Sequence, residues 1–507
     1  MLPGAPEHRK ATTSMTRATA APHGTAERSA PAAHTGLVLF ALAIAGMVVS
    51  VQQTLVIPLL PRLMQHFDAS VTTVTWVFTA SLLAGAVATP LLSRFGDMYG
   101  KKTMILLAMA LLTAGSVVCA LSSSLGVLVA GRALQGVSSA MIPLAIGMIR
   151  DTFPREKVTT AIGLVSATMG VGGTAGMIVT GLIADRTESY RPVFWIAAGL
   201  AAAGMVLVAV SAKDLGARHG GRPDLVGAAL LAGFLVSLLL GISEGNAWGW
   251  TSGRVLGLFA AAVVLCAVWA VVELRVKEPL VRLNLLVGPK SLTANLASVL
   301  LGFSMFAAFT LISNFVQSPK DKIGYGLSGS VLDVGLYMLP STVTMLVFSA
   351  LAGRIAARLG PAFTLAIGSV FAGLSYVWLA VSNGHVYDVL AFSAIQGIGF
   401  GVAYAALGTL AVQHVPMSQS GIASGINSLV RTAGGSIAGA VTASVLTSRV
   451  IPHTPVPTLH AYVLCFWIVA AGAGLAALVA LFHGLRHGAH HDPVEAQAPS
   501  VVVDANG

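Results

Sequence analysis

Charged side chains are scarce in this chain of 507 residues: Asp, Glu, Lys and Arg make up 9% of it, whereas 55% of its residues are hydrophobic. Soluble globular domains carry roughly 25% charged residues. The apolar residues come in blocks of roughly 20, which is the length a helix needs to cross about 30 Å of hydrocarbon. The scarcity of charge therefore excludes a soluble domain and predicts an all-α membrane protein.

Cysteine is nearly absent as well. Cys119, Cys266 and Cys465 lie in three different apolar blocks, which is typical of buried free thiols and not of a disulfide framework. The sequence has no Gly-Lys-Ser/Thr phosphate-binding loop, and its apolar blocks hold no paired carboxylates or His–acid pairs. We therefore expect no cofactor, no metal site and no enzymatic activity.

The net charge of +10 does not indicate nucleic-acid binding, because the basic residues of the two polar ends are not interleaved with aromatics. Residues 1–36 and 484–507 are predicted to be disordered cytoplasmic tails. The first of them lacks an apolar segment followed by a small-residue cleavage site, so no signal peptide is predicted.

The apolar blocks predict fourteen membrane helices, arranged as six, two and six. The N-terminal half, residues 37–212, holds predicted helices at 37–60, 71–92, 103–121, 126–149, 160–183 and 192–212. An inserted pair with its flanking loops, residues 213–290, holds helices at 225–242 and 255–272. The C-terminal half, residues 291–483, holds helices at 292–316, 332–351, 363–381, 389–412, 422–446 and 461–482.

The two predicted six-helix halves repeat each other. Three local similarities share a separation of about 260 residues: 93–100 with 353–360, 135–136 with 396–397, and Gly172 and Gly176 with Gly435 and Gly439. Such a repeat predicts two parallel halves with a substrate site between them near mid-membrane.

Most of the 29 Lys and Arg residues lie in the two tails and in alternate connections between predicted helices. The positive-inside rule then places both termini in the cytoplasm. We therefore predict a multi-pass protein of the cell inner (plasma) membrane.

Several motifs have the residue types and spacing of a transporter. Asp97, Gly100, Lys101 and Lys102 follow the second predicted helix, where an acid and a basic pair can lock helix ends together and release them; the alternative is a solvated turn. With the segments 132–136 and 170–176, these residues resemble signatures of the fourteen-helix drug/proton antiporter branch of the major facilitator superfamily. The resemblance runs from about residue 37 to residue 482.

This resemblance implies a secondary active exporter of hydrophobic drugs or metabolites that works by alternating access as a monomer in the lipid bilayer. Protons are the coupling ion it implies. It also marks Gly172, Gly176 and Gly181 as a glycine motif of exporters, in which small residues let helices approach closely. Met177 and Thr180 depart from that motif.

The largest departure lies in the first helix, where Gln52 stands at a position that is normally Asp in the family. An amide cannot take up and release a proton near neutral pH. No acidic residue lies in the middle of any predicted helix, and Asp333 is expected to cap a helix start. Arg132 lies within a helix at similar depth to Gln52, and an uncompensated buried charge is unfavourable. The alternative is an Arg132 side chain that snorkels outward to the membrane surface. We hypothesise that Arg132 pairs with an anionic or strongly hydrogen-bonding substrate or anion.

Two interpretations of Arg431 stay open, bonding to backbone carbonyls and a role in the cavity. The candidates for a substrate cavity or for coupling are Gln52, Gln53, Trp76, Arg132, Gln135, Met141, Phe306, Tyr404 and Arg431. The alternative to an exporter is an uncoupled facilitator or an importer of a neutral or anionic small molecule. A membrane-embedded enzyme and a non-transporting receptor are the interpretations from other classes.

Overall fold

The computed structural model describes residues 32–56, 59–69, 71–184, 186–187, 189–212, 224–276, 279, 283, 288–413, 415, 419–452 and 456–487. Most of the predicted N-terminal tail and nearly all of the predicted C-terminal tail lie outside these residues. The first membrane helix begins at Ala32 rather than at residue 37.

Within the described residues, fourteen helices are long and apolar enough to cross a membrane, as predicted. Fourteen successive crossings return the chain to the side on which it began. We call this side, where the first helix begins and the last one ends, the terminus side, and the other the distal side. The helices of the N-terminal half are α1 Ala32–Thr54, α2 Val71–Tyr99, α3 Lys101–Leu121, α4 Leu125–Thr152, α5 Arg155–Ala184 and α6 Arg191–Ser211.

The remaining helices follow in the same order along the chain. The inserted pair is α7 Leu225–Trp248 and α8 Gly253–Arg275. The C-terminal half is α9 Pro289–Gln317, α10 (in two pieces, Val331–Tyr337 and Leu339–Leu359), α11 Pro361–Val381, α12 Val386–Gln413, α13 Ser420–Ser448 and α14 Leu459–His487. Short helices at Leu60–Phe67 and Lys320–Ile323 lie in distal connections.

Local sequence explains where several helices begin and end. Gly100 alone separates α2 from α3, and its φ of 109° is a backbone conformation that favours glycine. The sequence had indicated a loop position for Asp97, which lies instead in the last turn of α2. Gly360, with φ of 82°, separates α10 from α11 in the same way. On the distal side, Ser330 and Asp333 form a capping box at the start of α10, which confirms the predicted cap.

The same helix pairs pack in both halves. In the N-terminal half α1 packs on α5, α2 on α4 and α3 on α6; in the C-terminal half α9 packs on α13, α10 on α12 and α11 on α14. Each of four apolar clusters of buried side chains belongs mainly to one half, and three of them include one buried residue of the other half, Val412, Met177 or Ala167. The halves meet where α2 contacts α13 and where α5 contacts α10 and α12. Helices α7 and α8 pack on each other, and α7 also contacts α2 and α13.

Glycines allow the closest helix contacts within each half. A side chain at Gly172 would collide with the carbonyl of Met47 and come within 2.6 Å of the Ser50 Cβ on α1. In the C-terminal half the matching collision, with the carbonyl of Val299 on α9, occurs at Gly434 and not at Gly435. The predicted correspondence between Gly172 and Gly435 is therefore wrong by one residue.

Candidate functional site

A cavity of about 140 Å³ lies between the two halves. An apolar cavity of similar size admits a molecule such as benzene, whereas pockets for drug-sized ligands measure roughly 300–1,000 Å³. A larger ligand would therefore require the halves to separate. We call this space the main lobe; its lining is Ser50, Gln53, Thr54, Phe78, Ser81, Leu82, Arg132, Met169, Met305, Phe306, Phe309, Thr310, Thr432, Gly435, Ser436 and Gly439.

A smaller space of about 40 Å³ shares part of this lining. We call it the side lobe. The side lobe adds Ser139 and Arg431, among others, to the lining. The residues that line both lobes are Ser50, Gln53, Leu82, Met169, Phe306 and Thr432.

The lining combines apolar rings and thioethers with many hydroxyls. Its charged side chains are Arg132 and Arg431, and no described carboxylate lines either lobe. A helix-bundle interior with two cations and no acid is ill suited to a cationic ligand, because a buried charge needs a partner of opposite sign.

Arg132 is fully buried and ties three helices of the N-terminal half together. Its Nε donates to the carbonyl of Val77 at 2.9 Å on α2, and its Nη1 donates to the carbonyl of Gln52 at 3.1 Å on α1. Nη1 also donates to Oε1 of Gln135 at 2.7 Å, one turn along α4. Gln135 in turn donates to the hydroxyl of Ser116 on α3 at 2.7 Å. Arg132 therefore has neutral acceptors as partners, and no described carboxylate pairs with it.

The predicted candidate Gln52 faces Arg132 and Gln135 and not the cavity. It is 1% exposed, and its Nε2 donates to Oε1 of Gln135 at 3.0 Å. Its own Oε1 has no hydrogen-bond partner among the described residues. The next residue, Gln53, lines both lobes and donates to the hydroxyl of Ser139 at 3.4 Å.

Arg431 lies near the middle of α13, at the wall of the side lobe. Its Nη2 donates to the hydroxyl of Ser428 at 3.0 Å on the same helix. The guanidinium carbon lies 5.4 Å from the centre of the Tyr404 ring, which is a cation–π geometry. The Tyr404 hydroxyl lines neither lobe and donates to the sulfur of Met305 at 2.9 Å. The structure therefore favours the cavity interpretation of Arg431 over bonding to carbonyls.

Of the three predicted cavity residues still to be placed, one lines the cavity and two do not. Phe306 lines both lobes. Met141 is fully buried in the apolar core of the N-terminal half, and its neighbour Ile142 reaches the side lobe instead. Trp76 is half-buried and lines neither lobe, whereas Phe78 on the same helix lines the main lobe.

The C-terminal half has a neutral counterpart of the Arg132 cluster, which sequence reasoning missed. The hydroxyl of Tyr376 on α11 donates to the carbonyl of Ser304 on α9, and Nε2 of Gln396 donates to that hydroxyl at 3.1 Å. The available signal was the match of Gln135 with Gln396, which implies that the partners of the two amides also correspond.

A second polar cluster joins the two halves on the terminus side. Asp97 at the end of α2 accepts hydrogen bonds from the backbone N–H groups of Gly421 at 3.2 Å and Ile422 at 3.0 Å, in the first turn of α13. Lys101 lies between two carboxylates, 2.9 Å from Asp97 and 2.5 Å from Asp151. A carboxylate at a helix N-terminus also interacts favourably with the helix dipole. This cluster therefore holds the two halves together on the terminus side.

The other members of the predicted loop and glycine motifs have structural partners. Nζ of Lys102 donates to the carbonyl of Ala209 at the end of α6, at 2.8 Å. A side chain at Gly176 would collide with the hydroxyl of Thr54 on α1, while one at Gly181 would make an ordinary 3.4 Å contact with Leu332 on α10. Asp151 was not among the predicted residues, since nothing in the sequence links it to Asp97.

Comparison with known proteins gives the family. The family model of the Major Facilitator Superfamily matches residues 42–439 and, in an overlapping match, 296–504. The chain is 30% identical over 420 residues to the tetracenomycin C resistance and export protein of Streptomyces glaucescens, covering 81% of this chain and 76% of that protein. It is 28% identical over 472 residues to the multidrug resistance protein Stp of Mycobacterium tuberculosis, covering 91% of this chain and 84% of that protein.

A solved structure shows the same fold. The crystal structure of the human organic anion transporter MFSD10 (TETRAN) matches with a TM-score of 0.62 at 14% identity, covering 88% of this chain and 99% of that one. With the family match over most of the chain and fourteen membrane helices, the chain belongs to the major facilitator superfamily and is a multi-pass membrane transporter, not an enzyme.

Proposed function

We propose that this protein is a secondary active exporter of lipophilic small molecules, working by alternating access as a monomer in the plasma membrane. The terminus side is the cytoplasmic side in this proposal, because most Lys and Arg residues belong to it. Two relatives whose names refer to drug resistance, one of them also to export, support export as the direction of transport.

The observation that carries the proposal is a cavity between the halves together with a polar cluster that closes one side of it. Asp97 belongs to the N-terminal half, and the N–H groups that it binds belong to the C-terminal half. Separation of the halves on the terminus side must therefore break these hydrogen bonds. Their release and re-formation provide the step that alternating access requires.

Proton antiport is the energy source that the family resemblance implies, and it must proceed here without a carboxylate in the described lining of the cavity. The buried carboxylate that bridges the halves is Asp97, which is 3% exposed. The absence of an acid from that lining favours a second candidate, an uncoupled facilitator of a neutral or anionic compound.

Purified protein in proteoliposomes with a trapped pH dye tests the two candidates. A labelled lipophilic compound is supplied with and without an imposed proton gradient, and its uptake is recorded together with the dye signal. Compound-dependent proton flux and uptake against the compound's own gradient support the exporter. Uptake that only equilibrates the compound, without proton flux, supports the facilitator, and no uptake of any compound contradicts both.

A further inference from the structure

We infer that the cavity selects lipophilic organic anions, and that Arg431 is the residue that recognises the anionic group. The expected ligand has an aromatic body in the main lobe and a carboxylate or ionised phenol in the side lobe. The inference rests on the proposed transport function and adds the substrate class to it.

The charges around the cavity support an anionic ligand. The four described buried carboxylates line neither lobe. Asp97 is engaged at the terminus side, Glu244 and Glu273 lie on α7 and α8, and Asp388 accepts hydrogen bonds from the Ser382 hydroxyl at 2.7 Å and the His385 N–H at 2.9 Å. A cationic ligand would thus enter a space that holds two guanidinium groups and no described counter-charge. Burial next to like charge without compensation is unfavourable, so cations are selected against.

The two arginines differ in their availability. Arg132 is fully buried, and its Nε and Nη1 donate to three acceptors on α1, α2 and α4. Arg431 is 8% exposed, and among the described residues its side chain donates to the hydroxyl of Ser428 on its own helix. No described carboxylate pairs with Arg431. The hypothesis that Arg132 contacts an anionic substrate is therefore replaced by one in which Arg132 supports the helices and Arg431 makes the contact with the anion.

The dimensions of the side lobe match an anionic group and not a whole ligand. Its volume is about 40 Å³, against about 140 Å³ for the main lobe and roughly 300–1,000 Å³ for the pocket of a drug-sized ligand. Gln53 and Thr432 line it together with Arg431 and can donate further hydrogen bonds to anionic oxygen. Guanidinium binds carboxylate and similar planar groups through paired, charge-assisted hydrogen bonds.

The main lobe supplies surfaces for an aromatic body. Phe78, Phe306 and Phe309 line it together with Met169 and Met305. Aromatic rings and thioethers make favourable contacts with a flat apolar ligand. Because both lobes share lining residues, one ligand can occupy them together.

A matched set of probes tests this inference: radiolabelled naphthoate, its neutral methyl ester, and naphthylmethyl-trimethylammonium as the cation. Binding is measured on the full chain in lipid nanodiscs, with empty nanodiscs as the blank for partitioning. The wild-type protein is expected to bind the acid on the order of tenfold or more tightly than the ester, as a charge-assisted hydrogen bond predicts. It is expected to bind the cation most weakly.

Arg431→Gln should abolish the preference for the acid over the ester, and retained binding of the ester shows that the variant is folded. Arg431→Lys should keep part of the preference. Arg449→Gln, at the exposed distal end of the same helix, is the matched control and should retain all of it.

Equal binding of acid and ester, or a preference that survives in Arg431→Gln, would overturn the inference. Transport of the ester in proteoliposomes would leave the proposed function standing in that case. If none of the three probes is bound or transported, the proposed function and the inference both fail for this class of ligand.

Discussion

In each half a side chain of a neighbouring helix donates a hydrogen bond to a backbone carbonyl of the first helix, α1 or α9, but the chemistry of the donor differs. In the N-terminal half the guanidinium of Arg132 donates to the carbonyl of Gln52 and to the amide of Gln135. In the C-terminal half a neutral hydroxyl, that of Tyr376, donates to the carbonyl of Ser304 and accepts from Gln396. The repeat therefore preserves the accepting carbonyl and the neighbouring amide, whereas the donor lies on α4 in one half and on α11, the counterpart of α3, in the other.

The same contrast holds where the halves meet on the terminus side. A side chain at Gly421 of α13 would come within 2.9 Å of the Ser93 carbonyl on α2, and one at Gly353 of α10 would come within 3.2 Å of the Thr160 Cβ on α5. Asp97 lies next to the first of these close contacts. The second has no such carboxylate, because Ala357 stands at the position of the C-terminal half that corresponds to Asp97. The first contact includes hydrogen bonds from backbone N–H groups to a carboxylate, and the second depends on packing.

The largest expected effect follows from the charge of Arg132. Arg132→Lys keeps the charge but replaces a planar fork by a point charge that cannot reach all three acceptors, so we expect a loss of about 3 kcal/mol in the free energy of unfolding. Arg132→Met removes the buried charge and should cost less. Denaturant unfolding in nanodiscs measures the stability of both variants. A Lys variant as stable as the wild type would contradict the role of Arg132 in holding α1, α2 and α4 together.

Asp97→Asn should weaken the contact between the halves on the terminus side. It removes the ion pair with Lys101 and the negative charge at the N-terminus of α13, which we expect to cost about 2 kcal/mol, or roughly thirtyfold in the ratio of closed to open states. Distances between spin labels on the ends of α2 and α13 measure that ratio. Ala357→Asn, at the matching exposed position of the second half, is the control and should leave the distances unchanged.

The close helix contacts should respond alike in both halves. Gly172→Ala and Gly434→Ala each place a methyl group against a backbone carbonyl of α1 or α9, and we expect each to lower the melting temperature with a loss of about 1.5 kcal/mol. Gly439→Ala, whose added methyl group meets nothing within 4 Å, should not destabilise the protein. If Gly439→Ala destabilised the protein and Gly434→Ala did not, Gly172 would correspond to Gly435 and not to Gly434.

The smallest effect is expected for the uncharged donor of the C-terminal half, the hydroxyl of Tyr376. Tyr376→Phe removes the hydroxyl that Gln396 binds and should cost about 1 kcal/mol in the free energy of unfolding. Unfolding under the conditions used for the Arg132 variants gives the comparison. If Tyr376→Phe lowered the free energy of unfolding as much as Arg132→Lys does, the charge of Arg132 would not account for the difference between the two halves.

The sequence predicted the number of membrane helices because span length follows directly from the thickness of the bilayer. It favoured an interior position of Arg132 over snorkelling to the membrane surface, because a lone cation in a span usually faces protein or a cavity. Neither prediction depends on which face of a helix a residue lies on.

The site was less predictable, and its errors are mostly shifts of one residue. Gln53 lines the cavity where Gln52 was also expected, Ile142 reaches it instead of Met141, and Gly434 takes the place of Gly435. One residue turns a side chain by roughly 100° around a helix, so a motif places a residue in depth but not on a face. The contacts of Asp151 depend on neighbouring helices and have no signal in the sequence, and those of Tyr376 are indicated only through the match of Gln135 with Gln396.

Cross-linking the halves on the terminus side tests the central claim most directly. Ser93→Cys with Gly425→Cys, in a background without the three native cysteines, joins α2 to α13 where a Gly425 side chain would lie 2.9 Å from the Ser93 Cβ. Alternating access predicts that oxidation abolishes transport in proteoliposomes and that dithiothreitol restores it, while each single-cysteine variant stays active. Full transport by the cross-linked protein would contradict the account.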